Sequence, residues 1–132
     1  MKLEGKARML RIHFGEDDKW KGKPLHDAIV EKCRELGIAG ATVFRGIEGY
    51  GASTLIHKRH LLSLSADNPV MITVVDTVEK IEKLLPVLDE MVDEGMMAMS
   101  DVEVVKYVHK SPGANAECLG SAGTGVRPVF AK

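Results

Sequence analysis

The chain has 132 residues, 45% hydrophobic and 28% charged, and its 18 lysines and arginines against 19 aspartates and glutamates leave a formal net charge of −1. That length suits one ordinary domain around one core, and the composition excludes a disordered or fibrous chain. The near-zero charge removes any broad attraction to nucleic acid, no apolar stretch approaches the roughly 20 residues of a membrane span, and the charged N-terminus lacks the centre of a signal peptide, so a cytoplasmic protein that is not membrane-embedded is expected.

In residues 7–14, Leu10, Ile12 and Phe14 fall on one side of a pleat and Arg11 and His13 on the other, which predicts a first strand. The charged, glycine-bearing stretch around Trp20, residues 15–23, reads as a solvated loop. Pro24 suits the first turn of a helix whose apolar stripe is Leu25, Ala28, Ile29, Cys33 and Leu36, and Gly37 stops it. Thr42, Val43 and Phe44 predict a second strand ending near Gly46. Residues 46–60 turn glycine-rich and then basic, an exposed excursion with a short strand after it at 61–64. Residues 69–75 form a near-continuous apolar run, a strand expected to be buried on both faces.

Asp76 is the expected cap of a second helix, paired with Glu79, and Val78, Ile81, Leu84, Leu85, Leu88, Met91 and Val92 supply its stripe. Pro86 predicts a kink in it, and Gly95 its end. Met96, Met97 and Met99 then precede a last strand at 102–108. Residues 1–110 are thus expected to form the domain, and residues 111–132, weakly patterned until Val129 and Phe130, a flexible tail.

The order βαββαβ predicts an α+β, ferredoxin-like fold with a four-stranded antiparallel sheet and two helices on one face. A strand apolar on both sides points to cover from a second subunit, hence a homo-oligomer. Such a fold hosts enzymes, regulators and nucleic-acid binders alike, so the architecture assigns no function by itself.

The run Gly37-Ile38-Ala39-Gly40-Ala41-Thr42-Val43 resembles the helix-to-strand segment of nitrogen-regulatory PII proteins, and Gly49-Tyr50-Gly51 resembles the opening of their signalling loop. Residues 45–51, the basic Ile56-His57-Lys58-Arg59 and Asn68-Pro69-Val70 with Val75-Asp76 are more similar still to a widespread prokaryotic family of PII-like proteins of unknown function. The resemblance spans roughly residues 5–110 and implies a homotrimer with ligand clefts between subunits and loops that reach a partner; a membrane channel or transporter is the partner class considered. It implies a regulatory protein rather than an enzyme, with no required cofactor and an adenine nucleotide, AMP or ADP, as ligand. The positions carried over are Gly40, Ala41 and Thr42 at the strand entrance, Gly49, Tyr50 and Gly51 at the loop base, and Gly95, Met96 and Met97 after the second helix. There the family's phosphate loop is rich in glycine and bears a lysine, whereas Gly95-Met96-Met97-Ala98-Met99 has a single glycine and no lysine, which argues against a triphosphate.

Arg45, His57, Lys58 and Arg59, with the amides around Gly46, suit phosphate oxygens, although a charge run of this kind more often faces water. His57 and His60 lack the carboxylate or thiol that would complete a metal set, and no metal is expected. Glu48 lacks a catalytic partner. Cys33 is expected to be a core thiol, and the methionines after Gly95 core or interface filler. The alternatives carried forward are a metal-binding module like the CutA relatives of PII and a small ferredoxin-like enzyme using Glu48 or His57.

Overall fold

In the computed structural model the described residues are 3–51, 57–58 and 68–110. The chain runs β1 (Gly5–Gly15), β2 (Lys19–Trp20), β3 (Lys23–Pro24), α1 (Leu25–Glu35), β4 (Ala41–Arg45), β5 (Glu48–Gly49), β6 (His57–Lys58), β7 (Pro69–Asp76), α2 (Val78–Met91) and β8 (Met96–Val104). β4, β7, β1 and β8 lie side by side in that order, every pairing antiparallel, in the ferredoxin-like arrangement.

Opposed residues in an antiparallel ladder share a face, so the register assigns each side of the sheet. Leu10 opposes Val74, Ile12 opposes Ile72 and Phe14 opposes Val70. These six pack with Leu25, Ala28, Ile29 and Cys33 of α1 and Ile81, Leu84, Leu88 and Met91 of α2 into one core. Removing these side chains from water is the main stabilising term, about 1.5–3 kcal/mol for each large aliphatic one.

The opposite face is open within one chain. Met71, Thr73 and Val75 of β7 are partly exposed, so the expectation of a strand buried on both faces is corrected for the single chain: only its alternate residues reach the core. Leu36 is 44% exposed at the end of α1 and does not join the buried stripe.

Other boundaries also differ from the sequence pattern. The stretch around Trp20 forms a small hairpin, β2 with β3, whose Lys21-Gly22 turn has φ of 48° and 81° and sets the Lys21 ammonium 5.2 Å from the Trp20 ring centre. The cap of α2 is Thr77, whose hydroxyl accepts from the Lys80 N–H at 3.3 Å. Asp76 is instead the last residue of β7, fully buried, and accepts from the N–H groups of Ala39 at 2.9 Å and Thr77 at 2.7 Å. α2 continues through Pro86, an exposed position where water can reach the Glu82 carbonyl that proline leaves without a donor. The helix stops at Met91, four residues short of Gly95, and the methionine run belongs to β8, which ends at Val104 rather than near Val108. Within residues 46–60, β5 and β6 pair where an unpaired excursion was expected. The expected strand at 61–64 and the tail at 111–132 lie outside the described residues.

Candidate functional site

The site is built where β4 leaves the sheet. The Gly46 N–H donates to the Pro69 carbonyl at 2.6 Å, holding the outgoing chain against the start of β7. A Cβ on Gly46 would stand 2.7 Å from Pro69 Cγ, and one on Gly49 3.2 Å from the same atom, so both glycines are there for close approach to the proline ring. The chain then passes through Glu48 and Gly49, and Tyr50 stands 72% exposed.

Between this turn and the opposite edge of the sheet lies a cavity of about 920 Å³. Its floor is one row across four strands: Phe44 opposes Met71, Met71 opposes His13, and His13 opposes Met96. All four line the cavity, and Phe44 and Met96 remain 48% and 55% exposed. Gly95 closes the far wall at φ 154°, where a Cβ would collide with the His13 carbonyl.

Among the described lining residues the charges are one guanidinium, Arg45, against the carboxylates of Asp18, Glu48 and Glu94. Asp18 is engaged locally: its carboxylate accepts from the Gly15 N–H at 3.2 Å. Arg45 donates to Glu16, which lies directly after β1, and Asn68 Nδ2 donates to the same carboxylate at 2.8 Å. The Arg45 hydrogen bond, and after it that of Asn68, holds the Glu16 carboxyl below its ordinary range.

Seven of the positions singled out in the sequence meet here: Arg45, Gly46, Gly49, Tyr50, Gly51, Gly95 and Met96. β6 returns the backbone of His57 and Lys58 opposite Gly49 and Glu48, while Arg59 lies outside the described residues. Met97 opposes Ile12 and packs on the core instead. Gly40, Ala41 and Thr42 are at the other end of β4 and do not line this cavity. That end is a separate knot, where Asp76 binds Ala39, Lys80 Nζ donates to the Gly37 carbonyl at 2.7 Å, and the Tyr107 hydroxyl donates to the Ala39 carbonyl at 3.0 Å.

Sequence reasoning passed over His13, Phe44 and Met71 as site residues, and Glu16 and Asn68 as their support. The alternation in β1 already turned His13 away from the core, but only the register sets it between Met71 and Met96. Among the described residues no group of three or more His, Cys, Asp or Glu is arranged to hold a metal, and no helix is long and apolar enough to cross a membrane.

Residues 7–104 match the model of DUF190, a family described as Uncharacterized ACR. A UPF0166 protein of Aquifex aeolicus (strain VF5) is 38% identical over 100 residues, covering 76% of this chain and 94% of the relative. A UPF0166 protein of Methanocaldococcus jannaschii is 36% identical over 102 residues with the same coverage. The fold is similar to that of CPII, a nitrogen regulatory PII-like protein from Thiomonas intermedia K12 bound to ADP, AMP and bicarbonate (TM-score 0.60, 18% identity, 76% of this chain and 90% of the other). It is also similar to a structure from Thermus thermophilus described as a PII-like signalling protein (TM-score 0.56, 20% identity, 80% and 94%). CutA from Synechococcus elongatus PCC7942 shares the fold at TM-score 0.52 and 12% identity, over 79% of this chain and 81% of the other.

Proposed function

The chain belongs to the DUF190 family, and from that membership and its PII-like fold we propose that it is a regulatory protein, not an enzyme, that binds AMP or ADP at the cavity beside residues 46–51. The observation that carries this reading is the cavity itself: about 920 Å³ over a floor of Phe44, Met71, His13 and Met96, with Arg45 and a glycine-lined turn at its rim. Three carboxylates against one guanidinium disfavour a triphosphate, in line with the absence of a lysine after Gly95.

In this reading the part of the open sheet face beyond the cavity floor, with Thr73 and Val75 partly exposed, packs against further copies in a homotrimer, and a neighbour completes each cleft. Gly40, Ala41 and Thr42 would then serve a neighbour's cleft rather than their own. Ligand binding alters the chain beyond Gly46 and with it the affinity for a partner protein, by as much as the ligand's affinities for the two loop arrangements differ.

Titration calorimetry with AMP, ADP, ATP and cyclic AMP, with the solution mass measured in parallel, tests this. One site per subunit for AMP or ADP in a trimer is expected. A folded protein giving no saturable heat with any of these nucleotides overturns the nucleotide reading. The alternative carried from the sequence, a metal-binding module like CutA, is tested by elemental analysis of the purified protein, for which stoichiometric metal is the expected finding.

A further inference from the structure

One carboxylate joins the two feet of the segment between β4 and β7. Glu16 accepts from Arg45, the last residue of β4, and from Asn68, the residue before β7, and its own N–H donates to the Asn68 carbonyl at 2.8 Å. The Glu16 side chain is 20% exposed and that of Arg45 56%, so the pair has one largely shielded member and one that water reaches.

Arg45 also lines the cavity, and its exposed side chain is free to turn from Glu16 toward an anion that enters. A guanidinium binds phosphate best through two parallel N–H donors on one edge, and the bond from Nη2 to Glu16 fixes the direction in which those edges face. Asn68 belongs to the same arrangement. Its Nδ2 is held by Glu16 while its Oδ1 is buried with no hydrogen-bond partner, a local cost that this arrangement bears and a rearranged one can relieve.

We propose that Glu16 is an internal competitor for the anionic group of the cavity's ligand: the ligand's phosphate draws Arg45 away from the Glu16 carboxylate, and Glu16 thereby sets affinity without touching the ligand. The inference rests on the nucleotide reading of the cavity, and its test separates the two.

Glu16→Gln keeps the shape of the side chain and an oxygen to accept from Asn68, but removes the charge that holds Arg45. ADP and adenosine are titrated into the unaltered full chain and into E16Q at one ionic strength. ADP binding about fivefold tighter in E16Q, with adenosine unchanged, is the expected result. ADP bound equally or more weakly by E16Q overturns the competitor role while the nucleotide reading stands; ADP bound by neither protein overturns both. Should E16Q fail to fold, the Glu16 side-chain carboxyl carbon resonance of the unaltered chain decides. It should move on saturation with ADP and not with adenosine, and a resonance indifferent to bound ADP overturns the exchange.

Discussion

The carboxylate of Asp76 accepts the backbone N–H of Ala39 at 2.9 Å, joining the end of β7 to the turn that feeds β4. A second N–H, that of Thr77, reaches the same carboxylate at 2.7 Å, and the Lys80 ammonium lies 3.9 Å away. Replacing Asp76 with alanine takes the carboxylate from the partly buried N–H groups of Ala39 and Thr77, and should cost on the order of 2–4 kcal/mol in urea unfolding. Asp76→Asn, which keeps one acceptor oxygen, should cost roughly half of that. Equal stability of all three proteins would show that the carboxylate contributes nothing net.

Gly95→Ala tests the far wall of the cavity. The new methyl group would meet the His13 carbonyl and the Val92 side chain, so β8 must shift against β1. A loss of about 1–3 kcal/mol is expected, measured as a lower midpoint of thermal unfolding. An unchanged midpoint would mean that the strand pair yields freely there.

Acid should weaken the fold partly through Glu16. Its carboxyl titrates lower in the folded chain than the ordinary 4.5, because Arg45 and Asn68 donate to the ionised form. A group depressed in this way stabilises the fold fully above its unfolded value and loses that contribution as pH falls through the folded one. The difference in unfolding free energy between the unaltered chain and E16Q should therefore be flat from pH 7 to about 5.5 and shrink below about 4.5. A gap that persists unchanged to pH 3 would contradict the assignment.

The open sheet face offers a test of assembly. Val75 opposes Met9 on that face and is only partly exposed, so Val75→Glu adds a charge to the surface proposed to lie between copies without entering the helix-covered core. Light scattering should report a trimer for the unaltered chain and a monomer for V75E. A trimer that survives the change would locate its contacts elsewhere.

The core was legible in the sequence because its signal is periodic. Ala28, Ile29 and Cys33 recur at helical spacing and Leu10, Ile12 and Phe14 at strand spacing, and all six are buried. Burial also pushes the Cys33 thiol up to about 11, as befits a packing residue. Cap and strand ends were less legible, since Asp76 and Thr77 both carry side chains that cap helices and only the position of β7 decides between them. The cavity floor was illegible for a different reason: Phe44, Met71, His13 and Met96 come from four separated segments, and nothing local to any of them states which rows align. Glu16 and Asn68 lie 52 residues apart, and their contact exists only once β1 and β7 have paired.

The hydroxyl of Tyr107, three residues beyond the end of β8, reaches Ala39, two residues before β4, although β8 and β4 are opposite edges of the sheet. Across roughly 14 Å of strand spacings, this bond makes the departing chain a girth strap under one end of the sheet. Mechanical load applied at Lys110 is therefore borne first at the β4 edge, and β8 begins to peel only after the Tyr107 bond has given way.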